Sequence, residues 1–281
     1  MVYSGMDTTR TPCSQGSDFL RNDWTYIEKK SNFYGKISSV TGIDIRALRS
    51  RPSHLPPRAA RLDTEHRSIY DFSIAQRMSW ASKRETTRVE DIAYCLMGIF
   101  NINMPLLYGE GTEAFRRLQE EIIAKSEDDS IFSHIYPVGT KTLLAGSPRG
   151  FGIHGDIEGH VQIHKNRMAA PYYMTNRGLC IELYLVPCIV EGKEYWMAGL
   201  HCIDTSRPGP IRIFLERLKG QEDLYHKVSL GQALTTFDEN SPGWVELKNS
   251  ERKKVYIMLN DNKRQWEDYD TVVNREHVRN G

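Results

Sequence analysis

The chain has 281 residues, 40% of them hydrophobic, and its 37 Lys and Arg nearly balance 36 Asp and Glu. That length leaves room for one or two buried cores, two domains being the expectation, and the balanced charge gives no footprint for nucleic acid or an anionic membrane. Cys13, Cys95, Cys180, Cys188 and Cys202 are scattered without a CxxC pair, so no disulfide framework or zinc site is expected; with no leader pattern and no apolar run of bilayer length, a cytoplasmic protein without a membrane span is expected.

Residues 1–17 are polar and aperiodic and read as a loose terminus. From Asp18 short apolar groups alternate with helical spacing; Ile37 and Val40 sit three apart, and Gly42 follows as a stop signal. Between Arg46 and Arg67 the residues Arg46, Arg49, Arg51, Arg58, Arg61 and Arg67 face only Asp63 and Glu65, broken by Pro52, Pro56 and Pro57. This basic loop reads as a solvated connector in preference to an anion-binding or partner-docking arm.

Three helices are predicted next. Ser73 and Gln76 have capping-box spacing, and Ile74, Ala75, Met78 and Ala81 follow on one face, ending near Lys83. Thr87 and Glu90 repeat the spacing, with Val89, Ile92, Ala93, Leu96 and Phe100 at helical intervals. Pro105 and Gly109-Glu110-Gly111 mark a loop, and Thr112 caps a third helix with Phe115, Leu118 and Ile122 inward and Arg116, Arg117, Glu120 and Glu121 outward. Beyond residue 130 the period changes to two. Cys180 to Val186, Tyr195 to Cys202, Arg212 to Leu218 and Val255 to Leu259 read as strands, with turns at 175–178 and 207–210. The fold class is therefore α+β, with a mainly helical first part followed by an antiparallel β-sandwich or barrel-like domain.

The densest polar set is Arg77, Arg88, Glu90, Asp91, Tyr94 and Glu110. As a site, Arg side chains and helix-start amides hold a phosphate while a carboxylate polarises a sugar hydroxyl or steadies a developing oxocarbenium ion. As structure, Glu90 completes a capping box and Arg88 pairs with Asp91; capping accounts for the position of Glu90 and is the favoured reading. Cys95 reads as a small core residue. His160 and His164 share a strand face too far apart for a metal site without a third ligand, and His201 becomes one only by accident of folding, so no metal is expected. The run GFGIHG, with Gly150, Gly152 and Gly155, lacks the strand and helix of a phosphate loop. Tyr172, Tyr173, Tyr184, Tyr195, Trp196 and Phe214 read as core-building aromatics in preference to a ligand surface.

AQRMSWA, TTRVEDIAYCLMGIF and NMPLLYGEG lie between Phe72 and Ile122, and together they resemble the closing part of the fungal heterokaryon incompatibility (HET) domain. That family's domain normally begins well over a hundred residues earlier, so the resemblance implies a truncated, mainly helical remnant at 18–135, with its signature at 72–122. Residues 140–262 resemble the β-rich domain of unknown function that often follows it, and 263–281 form a charged tail. The implied role is an interaction or regulatory module of non-self recognition and cell death, without catalysis or cofactor, working through protein partners and not nucleic acid. The alternative is an effector that cleaves NAD as substrate, through the family's remote similarity to TIR domains, its site completed by a missing half or a partner. Without the family's sheet, Trp80, Ile92, Leu96 and Phe100 are expected to find another cover or stay partly exposed.

Overall fold

The computed structural model describes residues 18–49, 67–136, 140–152, 157–158, 171–204, 210–230, 247 and 249–259. The expected loose terminus, residues 50–66 of the basic loop, Gly155, His160, His164, positions 207–209 of the second predicted turn and the 263–281 tail lie outside the described residues. By internal contact the chain divides into two units, 1–68 and 69–281.

In the first unit, β1 (Asp18–Leu20) and β2 (Tyr26–Lys29) pair antiparallel. α1 (Tyr34–Thr41) ends at Gly42 as expected, with φ at +71° and its N–H donating to Ser38 O at 2.8 Å. Glycine reaches that left-handed conformation without a Cβ penalty. Asp44 then caps α2 (Ile45–Leu48) by accepting from the Arg46 amide at 2.8 Å.

The second unit opens with α3 (Ile74–Ser79), whose predicted capping box forms: Gln76 N donates to Ser73 Oγ at 3.1 Å and Ser73 N to Gln76 Oε1 at 3.0 Å. The Ile74 amide donates to Asp128 Oδ2 at 2.7 Å and the Ala75 amide to Ser130 Oγ at 3.0 Å, so helix-start donors are also met from far along the chain. The helix stops short of Lys83, where the Ser79 and Ser82 hydroxyls donate back to the carbonyls of Gln76 and Ser79.

The continuous helix predicted from Val89 to Phe100 is two short ones, α4 (Asp91–Tyr94) and α5 (Met97–Phe100). No Thr87–Glu90 box forms, because the Glu90 carboxylate binds amides 19 and 21 residues ahead instead. The break turns Val89 and Cys95 to the surface, which corrects the core position expected of Cys95. α6 (Glu113–Lys125) buries Phe115, Leu118 and Ile122 as predicted. Thr112 holds the N-cap position, without a side-chain bond.

The four predicted strands correspond to β5 (Gly178–Val190), β6 (Lys193–Asp204), β7 (Pro210–Arg217) and β9 (Arg252–Ile257), with Leu218, Met258 and Leu259 beyond the strand ends. They are joined by β3 (Ile157–Glu158), β4 (Tyr173–Thr175) and β8 (Leu224–Val228) in one sheet of order β3-β6-β7-β8-β9-β5-β4, with β5 also pairing β6. β8 and β9 run parallel. A single mixed sheet therefore replaces the antiparallel sandwich or barrel, and the molecule is α+β as expected. Gly178 closes the β4–β5 turn with φ at +115°, where a Cβ would lie 2.2 Å from Ile257 O.

Both sheet faces are covered. Leu179, Ile181, Leu183 and Leu185 share a cluster with Ile74, Met78, Leu96, Phe100, Phe115 and Leu118 of the helices. On the other face Tyr184, Val186, Tyr195, Met197, Phe214 and Val228 meet Leu247. Another cover is thus found: Leu96 and Phe100 are buried in the cluster shared with the sheet and Ile92 packs against it, while Trp80 is buried edge-on to Phe72. Because helices and strands share one core, the contact division falls at 68/69 and not near 135–140, where the sequence period changes. The buried Gln119 amide on α6 fastens the segment ahead of the sheet, donating to Ala145 O at 2.7 Å and accepting from Ala145 N at 2.8 Å.

Candidate functional site

Five of the six polar residues singled out in sequence converge on the loop 105–111. Glu90, 8% exposed, accepts from Gly109 N at 2.8 Å and Gly111 N at 3.1 Å through one carboxylate oxygen. Its own backbone amide, with those of Gly109 and Gly111, holds its pKa below the ordinary glutamate value. Glycine at both positions permits the positive φ, +101° and +62°, that turns these amides toward the carboxylate.

Tyr94 reaches the loop from α4, donating to Glu110 Oε1 at 2.8 Å and accepting from Leu107 N at 2.8 Å. Desolvation and the Glu110 bond raise its phenol pKa. Arg117, expected to point outward, instead grips Glu110 with two nitrogens and donates to Pro105 O at 2.9 Å. Tyr108 donates to Asp91 Oδ1 at 2.9 Å, and that bond raises the Tyr108 pKa. The Arg88 guanidinium lies 4.8 Å from the Tyr108 ring centroid, in place of the ion pair with Asp91 that the structural reading expected. Tyr94 and Tyr108 meet edge to face.

The sixth residue is elsewhere. Arg77 is buried, donates to Ile99 O at 3.1 Å and lies 4.7 Å from the Phe100 ring centroid. Burial lowers its pKa, and Asp128 partly counters this.

All three carboxylates of the cluster thus bind groups of the chain itself, and their joint effect is to fix one loop. The tip of that loop is apolar and open: Leu106, Leu107 and Tyr108 are each more than half exposed, as is Val89 beside Arg88. Arg117 and Tyr108 were missed as partners in sequence, although a Tyr and an Arg flanking a Gly-Glu-Gly turn are the residue types that such a turn's carboxylate and amides recruit.

Two histidines have polar partners away from these residues. His201 Nδ1 lies 3.0 Å from Asp129 Oδ2, and its Nε2 is 3.3 Å from Arg252 Nη2. His134 Nε2 is 2.9 Å from Nζ of Lys227, which also donates to His134 O at 3.0 Å; both residues are buried. Among the described residues no group of three or more His, Cys, Asp or Glu is placed to hold a metal, and no helix is long and apolar enough to cross a membrane.

Over 106 residues the chain is 39% identical to vegetative incompatibility protein HET-E-1 of Podospora anserina, a match that covers 37% of this chain and 7% of that protein. No family model matches the chain. No solved structure matches it significantly. The similarity relates the chain to a heterokaryon incompatibility protein.

Proposed function

We propose that this chain, sharing a segment with a vegetative incompatibility protein, is itself an interaction module of heterokaryon incompatibility and the associated cell death, acting in the cytoplasm through protein partners and without catalysis of its own. Residues 72–122 form the closing part of a HET domain in this reading, and 140–262 the β-rich HET-associated domain. The observation that carries it is the use of Glu90, Asp91, Glu110 and Tyr94 to hold the loop 105–111 in one conformation with Leu106 and Leu107 open to a partner. Rigid presentation of apolar side chains lowers the ordering cost of association.

The NAD-cleaving alternative needs a carboxylate turned to substrate, whereas Glu90 is engaged with two backbone amides. The test is expression of the full chain in a fungal host with growth arrest as readout. Leu106→Asp with Leu107→Asp abolishes arrest while the thermal midpoint stays unchanged, and the purified protein does not consume NAD. Arrest by the double variant equal to wild type sinks the interface. NAD turnover lost in Glu90→Gln establishes the enzyme instead.

A further inference from the structure

The loop surface has an uneven polar account. Glu90 is taken by the Gly109 and Gly111 amides, Asp91 by the Tyr108 hydroxyl and Glu110 by Arg117 and Tyr94. Arg88 differs: among the described residues its side chain makes no hydrogen bond or ion pair and lies over the face of the exposed Tyr108 ring, while its charge helps to lower the Glu90 pKa. Its guanidinium carries five N–H donors beside Tyr108, which is exposed, as are Leu106 and Leu107 just before it in the loop and Val89 next to Arg88 in sequence. Glu90 and Asp91, the acids nearest to it in sequence, bind other groups in its place.

A guanidinium on an aromatic face keeps its N–H edge free and its plane fixed, an arrangement suited to bidentate capture of a carboxylate. Apolar side chains that close around such a pair when a partner is seated exclude water and strengthen it. We propose that this surface docks a protein segment in which an Asp or Glu is flanked by aliphatic or aromatic side chains, the acid meeting Arg88 and the apolar groups meeting Leu106, Leu107 and Tyr108. The proposal rests on the reading of 105–111 as an interface and adds the chemistry of what binds there.

The experiment is selection of phage-displayed random peptides on the full chain. The best binders are then synthesised and measured by fluorescence polarisation against wild type, Arg88→Glu and Leu107→Asp, each variant checked for an unchanged unfolding midpoint. Selected peptides are expected to carry an acid beside apolar residues. Arg88→Glu should weaken them about tenfold or more, the scale for a charge pair in an apolar surround, and replacing the peptide acid by Lys should restore binding to Arg88→Glu. Peptides without an acid, or acidic peptides indifferent to Arg88→Glu yet lost with Leu107→Asp, overturn the charge inference and leave the interface standing. Binding indifferent to both variants, or no selected peptide at all, removes both. A concentration-dependent dimer broken by Arg88→Glu assigns the surface to a second copy and also overturns the proposal.

Discussion

A carboxylate that accepts backbone amides is easier to ionise, and the sign of that preference makes Glu90 testable. Its folded pKa lies below the unfolded one, so its contribution is in full above the ordinary glutamate value and fades as pH falls through the folded value. Glu90→Gln should lower the urea midpoint at neutral pH and flatten the acid limb of midpoint against pH. Equal acid limbs in the two proteins would leave the carboxylate without that role. Lys227 runs the other way: burial pushes its pKa well down, and no carboxylate pairs with it among the described residues. The unfolded chain then holds more protons, and stability rises as pH climbs from the depressed folded value toward the ordinary lysine value. In Lys227→Met this term is absent, so the midpoint difference should move in favour of wild type between pH 7 and 10. Parallel curves would mean that the ammonium is carried at no cost.

Which elements could be read from sequence depended on the reach of their partners. The start of α3 was legible because Ser73 and Gln76 are three residues apart and cap each other. Asp128, which meets the Ile74 amide from 54 residues away, gave no local sign. Ser73→Ala should cost about 1 kcal/mol, an ordinary cap loss, whereas Asp128→Ala should cost roughly 2–3 kcal/mol, because it strands the buried amides of Ile74 and Ser130. Urea denaturation of both variants checks the order. The second helix was misread for the same reason of reach: Glu90 fits a capping box, but the glycine amides of a later loop claim it. β8 was missed because its pattern puts a lysine, Lys227, where an apolar residue belongs.

At the scale of the molecule, the switch from a helical to an alternating period reads like a domain boundary, yet helices and strands bury against each other in one cluster. Periodicity reports which face of an element is apolar and not what covers it. Residues 69–136 made alone should therefore bind a hydrophobic dye and lack a cooperative transition, while in the full chain α6 and β5 should share one hydrogen-exchange opening energy. A cooperative, monomeric 69–136 fragment would show that the helices need no sheet. The candidate site was legible as a set of residues, since five of six assemble, but its purpose was not. Arg117, Tyr108 and the two glycine amides supply what turns a polar cluster into a held loop, and none of them belongs to an apolar helix face that periodicity reports.

Lys227 also gives the fold an internal clock. Acylating reagents attack the uncharged amine, the form that burial favours here, but cannot reach it while it lies buried and covered, against an equally buried His134. Exposed Lys253 should be acylated within the mixing time, and Lys227 only as often as that cover lifts, so peptide mass spectrometry of the acylated chain would time the opening of the core at a single nitrogen.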